Sequence, residues 1–417
     1  MTAADLDAAQ HASPGAAPTG LWRSPGLRSL FAASTTARLA NESARVAMVL
    51  LVLDRTGSPA LAGGLVAAAT IPSLVTGPLL GAWLDRTAHR RSAFVANQLL
   101  LLLALVGLLS VSATTPPVAV LALGLAAGLT SPVLTGGFTG LIAPLVPRAD
   151  LRRAYGAEAT SYNVASVAGP ALAGALAGLV DPAAAVTAAA VLSAVALAVV
   201  LRVPMPRGEA PAGTPVLRSV ARALRHLVTS PPLRATTLAT TASFGGMGAL
   251  PVVLPLLAVE LGAGAAASGA LLSCFALGAL AGSLGVAART PRTGPLRTAL
   301  LGIAGLAVAF GALALAPTLP VALVVIAIAG ALEGPVFAAT LTVRELHTPG
   351  WMRTQVVTTA ASLKFAAFAV GSAVTGAVAA THGPRVGTAV LAGAQVLALV
   401  LAALALRTSK ASPARHS

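Results

Sequence analysis

Charge is scarce in this sequence. Only 9% of residues are Asp, Glu, Lys or Arg, against about a quarter in an ordinary soluble domain. So few charges cannot clothe a water-soluble globule of 417 residues, whereas lipid can cover what charge does not. Aromatic residues reach only 3%, which argues against a large ring-stacking pocket. The net charge of +15 is scattered in short clusters between apolar runs, with no basic domain or aromatic-studded groove, so a nucleic-acid partner is excluded. The single cysteine, Cys274, lies in an apolar run and leaves no intrachain disulfide. A Gly-x-x-x-x-Gly-Lys phosphate loop is missing, and with it a nucleotide-driven motor in this chain. There is no His-Glu-x-x-His, and none of the six histidines falls within an apolar run. No metal, cofactor or enzymatic activity is therefore expected. Neither a pore loop nor a ring of charge marks a channel.

What remains is apolar sequence: 56% of residues are hydrophobic and the mean hydropathy is +0.86. A helix crossing a bilayer needs about 20 mostly apolar residues. Twelve stretches meet that need, at 27–53, 60–84, 92–113, 117–145, 154–180, 183–203, 235–257, 265–288, 296–316, 319–343, 354–380 and 385–406. They read as an all-α polytopic membrane protein. Residues 1–26 form a disordered cytoplasmic tail, 27–203 one six-helix half, 204–234 a cytoplasmic linker, 235–406 the second half, and 407–417 a second cytoplasmic tail. Within the linker, Leu217, Val220, Ala221, Leu224 and Val228 share one helical face and Arg218, Arg222 and Arg225 another. This pattern suits an amphipathic helix on the inner membrane surface.

Basic residues set the orientation. With both termini cytoplasmic, 22 of the 27 Lys and Arg residues lie on the cytoplasmic side. Only Arg55 and Arg385 lie outside, and Arg38, Arg45 and Lys364 fall within spans.

The halves resemble each other. Gly-Leu-Thr-Ser-Pro-Val at 128–133 returns as Ala-Leu-Glu-Gly-Pro-Val at 331–336, placing Glu333 at the position of Thr130. Gly169 and Gly174 have counterparts in Gly371 and Gly376, and Gly64 and Gly77 are spaced like Gly269 and Gly282. Two duplicated six-helix units make a transporter architecture, with the substrate site between them near the bilayer midplane.

The loop after the second span reads Gly81-Ala-Trp-Leu-Asp85-Arg86-Thr-Ala-His-Arg90-Arg91. It resembles the signature Gly-x-Leu-x-Asp-Arg-x-Gly-Arg-Arg of the major facilitator superfamily, with Trp83 and His89 departing from the pattern. The stretch from Thr56 to Arg91, and the run from Arg45 to Asp54 before it, are similar to the branch that holds drug, macrolide and siderophore exporters. Ala165-x-x-x-Gly169-Pro170-Ala-Leu-Ala-Gly174 in the fifth span resembles the Gly-x-x-x-Gly-Pro-x-x-Gly-Gly motif of the antiporter branches. Small residues there allow close helix approach, and Pro170 removes one backbone bond.

The resemblance implies a twelve-helix proton antiporter of two pseudo-symmetric halves. It would export a lipophilic small molecule across a bacterial plasma membrane, as a monomer. An importer, a siderophore exporter and a non-transporting sensor or scaffold stand as alternatives. The resemblance also implies that Asp85 reaches across to the start of the eleventh span, where Met352, Arg353 and Thr354 present N–H groups and the positive end of a helix dipole. Arg86, Arg90 and Arg91 would hold the loop at an anionic membrane face.

Ionisable residues inside spans are costly and mark function. Arg38, Asn41, Glu42 and Arg45 share one face of the first span. Glu333 lies mid-way along the tenth span and Lys364 along the eleventh. Glu42 and Glu333 are candidates to carry the coupling proton. Arg38 or Arg45 neutralising Glu42, and Lys364 pairing with Glu333, are the structural alternatives. Glu158 reads as an interfacial residue, and Asn163 and Gln395 as either cavity or packing residues.

The 22-to-2 split makes a direct prediction. Single cysteines at Ser58 or Thr318 react with an impermeant thiol reagent added outside intact cells, and cysteines at Thr87 or Thr214 react only after the inner face is exposed. Outside labelling at Thr87 would overturn the helix count.

Overall fold

The computed structural model describes residues 22, 25–87, 89–205, 216–263, 265–289 and 292–410. Most of the expected terminal tails, at 1–21 and 411–417, lies outside the described residues, as does 206–215 of the linker. Among the described residues the chain is helical, with no strand.

The first half comprises α1 (Pro25–Thr56), α2 (Pro59–Leu84), α3 (Arg90–Leu109), α4 (Pro117–Leu145), α5 (Leu151–Leu179) and α6 (Pro182–Val200). The linker helix is α7 (Val216–Thr229). The second half comprises α8 (Pro231–Met247), α9 (Leu250–Glu260), α10 (Ala265–Ala288), α11 (Pro295–Ala314), α12 (Leu319–Leu346), α13 (Arg353–His382) and α14 (Pro384–Lys410). Nine of the described helices are long and apolar enough to cross a membrane, and α8 with α9 makes a tenth span bent by 41°. The remaining two long helices are α1 and α2, of 32 and 26 residues; α1 carries Arg38, Glu42 and Arg45 in its middle.

Two spans differ from smooth rods. The seventh, expected at 235–257, breaks between Met247 and Leu250. Gly245, Gly246 and Gly248 weaken the helix there, and Pro251 supplies a new first turn. In α4, a π-helical turn over Val133–Gly137 follows Pro132, whose ring nitrogen has no N–H to donate.

Proline starts many of these helices. Pro59, Pro117, Pro182, Pro231 and Pro295 all sit in first turns, where the missing N–H costs nothing. Ser58 and Asp181 cap α2 and α6 by accepting from Leu61 N (3.2 Å) and Ala184 N (2.6 Å). The positive-φ glycines Gly57, Gly262 and Gly383 turn the chain after α1, α9 and α13, all at the face poor in charge.

The opposite, Arg-rich face gathers the ends of α2, α6, α10 and α12 and the starts of α3, α5 and α13. Arg91 there donates to Val203 O (3.1 Å) and Arg152 to Thr293 O (2.5 Å).

Packing reproduces the repeat and corrects its register. A side chain on Gly128 would strike the backbone of Ala69 in α2, and one on Gly330 would strike Phe275 in α10. Gly169 lies against Glu42 and Ser43 of α1, and Gly371 against Gly245 of α8. Both pairs are 202 residues apart, whereas Pro132 and Pro335 are 203 apart. On the packing register Glu333 therefore corresponds to Ser131, not to Thr130. The proposed match of Gly64 and Gly77 with Gly269 and Gly282 has no common packing. Gly77 faces Ser362 of the other half, Gly282 faces Ala331 of its own, and Gly269 faces open space.

Across the halves, α2 packs on α13, and α5 on α10 and α12. These seams close toward the Arg-rich face. Gly156 of α5 is essential to one of them, because a Cβ there would stand 2.6 Å from Ala287 N and 2.9 Å from Ala287 Cα. Gly156→Ala should leave each half folded and disfavour this closed seam by about 1–3 kcal/mol, the usual cost of overpacking. Spin-label distances across the Arg-rich face measure the effect; an unchanged distribution would show that the seam has slack.

Candidate functional site

The seam between α2 and α13 is built from missing side chains. Gly81 brings α2 so close that a Cβ would stand 2.8 Å from Gln355 Cα, and Gly77 lies against Ser362. On α4, Gly136 and Gly140 receive Thr358 and Thr354. This approach puts Asp85, just past the end of α2, at the first turn of α13. Its two carboxylate oxygens accept from Thr354 N (3.0 Å) and Gln355 N (2.9 Å). These are the second and third residues of α13, whose own N-cap residue, Met352, supplies no side-chain hydrogen bond. Asp85 therefore caps, from the other half, a helix start that its own segment leaves open. The set expected at Met352, Arg353 and Thr354 is shifted one residue onward.

Of the three loop arginines, Arg90 is buried rather than turned to lipid. It donates to Leu84 O (3.0 Å) and stands 3.8 Å from Asp85. Arg91 is exposed and donates to Val203 O. Burial raises the Asp85 carboxyl to about 6, against the pull of Thr354, Gln355 and Arg90. At neutral pH it is ionised, and both oxygens accept.

A second contact crosses the halves nearby. Tyr155 of α5 donates its hydroxyl to Glu345 of α12 (2.9 Å), and Glu345 pairs with Arg353 at 2.6 Å. Deeper in, Asn163 donates to Ala279 O (3.1 Å) and Ser283 Oγ (3.2 Å), and Thr160 meets Ser283 at 3.1 Å. Asn163 is thus a cross-half bridge. Gln395 joins Ser243 inside the second half, at 2.6 Å.

The charged face of α1 divides. Arg38 is buried and pairs with Glu158 of α5 at 2.5 Å, while its guanidinium lies 3.7 Å from the centre of the Tyr162 ring. Glu158 also accepts from Thr139 (2.6 Å) and is 1% exposed, so the interfacial position expected for it is wrong. Asn41 is buried. Glu42 pairs with Arg45 at 3.6 Å, both partly exposed. The neutralising partner of Glu42 is therefore Arg45 and not Arg38.

Glu333 and Lys364 behave differently. Among the described residues no ion pair within 4.0 Å joins them, although each lies in the other's field. The Lys364 ammonium sits 4.3 Å from the Phe244 ring centre and 5.1 Å from that of Phe337. Phe365 and Phe368 pack on Phe244, and Tyr162 on Phe337. Five aromatic side chains thus cluster near Lys364. A cleft beside them is lined by Arg45, Thr70, Ser131, Thr135, Ser362 and Phe365, among others.

The motif on α5 also divides. Gly169 is required, since a Cβ would come 2.6 Å from that of Glu42, but nothing lies within 4 Å of one on Gly174. Pro170 continues inside the helix.

Sequence reasoning missed the Arg38–Glu158 and Tyr155–Glu345–Arg353 groups. A signal was present: Tyr155, Glu158 and Tyr162 recur at helical spacing along one face of an otherwise Ala- and Gly-rich segment.

Removing the Asp85 cap should weaken the closed seam. Asp85→Ala leaves two buried N–H groups without an acceptor and should cost about 2 kcal/mol, more than tenfold in the closed-to-open ratio. The pH response has a defined sign. The buried carboxyl holds its proton more tightly than an exposed one, near 3.9, so proton uptake favours the closed seam as pH falls below about 6. Between pH 7 and pH 5 the ratio should rise about tenfold in the native chain, stay flat above pH 7, and lose this component in Asp85→Ala. Double electron–electron resonance across the seam reads both effects; a fall in the closed population on acidification would overturn the assignment.

A family profile described as transmembrane secretion effector matches residues 16–415 of the chain. The chain is 33% identical over 371 residues to an uncharacterized MFS-type transporter, y4rN, of Sinorhizobium fredii, covering 85% of this chain and 88% of that protein. It is 28% identical over 381 residues to the multidrug efflux pump Tap of Mycolicibacterium fortuitum, covering 88% and 91%. Among solved structures, the human organic anion transporter MFSD10 aligns with a TM-score of 0.77 at 17% identity, over 91% of this chain and 99% of that one. The transporter FucP in its outward conformation aligns at 0.72 and 14%, over 91% and 98%.

Proposed function

The chain belongs to the transmembrane secretion effectors of the major facilitator superfamily, and from that premise we propose that it exports a lipophilic small molecule in exchange for protons, by alternating access. Membership makes it a membrane transporter and not an enzyme. The moving bodies are residues 27–203 and 235–406, joined by 204–234. Both termini and the Arg-rich face are cytoplasmic, in a bacterial plasma membrane, and a single chain is the transport unit.

One observation carries this reading. Asp85 bonds to the start of α13 across two halves that pack on each other through glycines. A contact made in only one arrangement of the halves biases the equilibrium between arrangements by its own free energy. Asp85, with Arg90 behind it, is the latch that closes the cytoplasmic side. The Tyr155–Glu345 bond acts with it on the neighbouring seam.

Export is supported by the efflux-pump relative and by the antiporter-like motif at Gly169 and Pro170. The apolar and aromatic surroundings of Lys364 suit a lipophilic molecule entering the cleft beside Arg45. Glu333 is the proton carrier. It is mid-span, outside ion-pair reach of any cation among the described residues, and its counterpart in the first half is the neutral Ser131. A carboxyl there is not demanded by the fold of a half; a permanent charge is costly in such a place and a protonatable one is tolerable. Glu42, paired with Arg45, is the weaker candidate.

Glu333→Gln fixes the neutral form. Proton-driven export should fall at least about tenfold, while substrate–substrate exchange survives. If Glu333 only balances Lys364, the single change should instead reduce folded protein, and adding Lys364→Met should restore both yield and export. Flux in vesicles at matched protein levels, with pH gradients of either sign, separates the outcomes. Undiminished gradient-driven export by Glu333→Gln would remove the carrier role, and gradient-independent flux of every compound tried would favour a sensor or scaffold.

A further inference from the structure

The linker helix α7 has three sectors rather than two. At about 100° per residue, Ser219, Ala223 and Leu227 form one stripe, Arg218, Arg222 and Arg225 a second, and Leu217, Ala221, Leu224 and Val228 a third. The first stripe is buried, with Ser219 at 4%, Ala223 at 0% and Leu227 at 3% exposure. Ala223 and Leu227 pack with Leu233, Met352 and Val356. Ser219 donates to the Gln355 side chain (3.1 Å), and His226 bonds to His347 O (2.8 Å). Of the apolar face read from the sequence, Leu217 is 75% exposed, Val228 61% and Leu224 42%.

The docked stripe reaches the latch itself. Gln355, whose side chain accepts from Ser219, is the residue whose N–H is held by Asp85. The helix also packs against α2, α8 and α13, so it straddles the seam between the halves. The remaining two sectors, apolar and cationic, face away from the protein side by side. Together they make an interfacial helix with its arginines beside its apolar surface, the arrangement that anionic bilayers bind.

We propose that the outward face of α7 binds the anionic phospholipid surface of the inner leaflet, and that this binding stabilises the latched, cytoplasm-closed arrangement. Lipid and protein use different sectors, so α7 can hold both at once while it is seated. Because α7 packs on α2 as well as on α8 and α13, parting of α2 from α13 removes one wall of its seat, and a helix fixed at the bilayer resists that separation. Charge complementarity selects the occupant: an anionic headgroup layer matches Arg218, Arg222 and Arg225, and the acyl region matches Leu217, Leu224 and Val228. This inference rests on the alternating-access reading and on the cytoplasmic placement of the Arg-rich face.

The test uses the full chain with Cys274→Ser and spin labels at Thr87 and Arg292, which lie in loops of opposite halves at that face. It is reconstituted in phosphatidylcholine vesicles containing none, one fifth or two fifths phosphatidylglycerol. The short-distance population should rise with the anionic fraction, by about threefold to tenfold in closed-to-open ratio. The triple variant Arg218→Gln, Arg222→Gln, Arg225→Gln should match the native chain in pure phosphatidylcholine and lose the response. Leu224→Ser with Val228→Ser, which keeps the charges, should blunt it and serves if the triple variant does not fold. A native chain indifferent to phosphatidylglycerol, or a triple variant that keeps the full response, overturns the proposal. So does a response that appears only when a soluble polyglutamate is added, which would make the face a protein dock. The readout is a distance and not flux, so loss of export with an intact lipid response counts against the transport reading alone.

Discussion

A helix that begins inside a protein must have its first N–H groups satisfied, and α13 cannot satisfy its own. Its N-cap position is held by Met352, which has no acceptor in its side chain beyond a weak thioether. The two acceptors come instead from Asp85, 269 residues away for Thr354 and 270 for Gln355. The rest of the seam is arranged around that need. Gly81 and Gly77 let α2 come close enough, and Gly136 and Gly140 leave room for Thr358 and Thr354. Arg90 ties the carboxylate back to the end of α2, through Leu84 O. The glycines and the aspartate of the loop thus form one device, in which backbone approach and charge are inseparable. A bulkier residue at Gly81 would leave the carboxylate too far from the N–H groups that it serves.

Buried charge elsewhere falls into two kinds. Arg38 and Glu158 neutralise each other at 2.5 Å, and Thr139, Ser161 and Leu134 O complete their hydrogen bonds. All these residues belong to the first half, so the cluster can move with it as a unit. Breaking such a pair is costly because it strands a buried charge, and a group so well satisfied is a poor choice for repeated protonation. Glu333 and Lys364 are of the other kind. Their charges influence each other without an ion pair, and the lysine is held by ring faces. Proton traffic requires a carboxyl whose two states are close in free energy, and of the candidates only Glu333 lacks a fixed partner that favours one of them.

The helices, their alternation and the bias of Arg to one face could be read from the sequence because each depends on local composition. The repeat was legible too, since close helix contacts require glycine at fixed places: Gly169 and Gly371 recur because α1 and α8 press on them. Even the target of Asp85 was legible within one residue, through the family signature and the chemistry of helix starts. Partner choice was not. Arg38 and Glu42 lie four apart on one helix and satisfy the rule for a local pair, yet Arg38 turns to Glu158 on a different helix. What decides this is the approach of α5 to α1 at Gly169, a tertiary distance that spacing along one segment does not contain. Composition is likewise silent on where the aromatics lie. A share of 3% says nothing of where they gather: Phe244 and Phe337 face Lys364, and Phe365 and Phe368 pack on Phe244.

The register of the repeat bears directly on Glu333. Aligning the two Pro-Val pairs sets Glu333 opposite Thr130, which is wholly buried and donates its hydroxyl to Ala127 O of its own helix (2.6 Å). A carboxylate substituted into that environment would face a carbonyl oxygen and would have no cation to meet it. The packing of Gly128 and Gly330 sets Glu333 opposite Ser131 instead, and Ser131 lines the cleft beside Arg45. The registers part because Gly330 to Pro335 spans five residues and Gly128 to Pro132 only four, so the extra residue lies in α12, ahead of the place where α4 has its π-helical turn. A change of one residue in register turns a helical position by about 100°, enough to exchange Thr130 for Ser131 as the counterpart of Glu333. On the packing register the two halves therefore offer equivalent helix positions to different chemistry: a hydroxyl in the first, which can only donate and accept hydrogen bonds, and a carboxyl in the second, which can also change charge. On the proposed reading this asymmetry lets one of two equivalent positions carry the coupling proton, on a scaffold whose contacts at Gly128 and Gly330, and at Gly169 and Gly371, are duplicated.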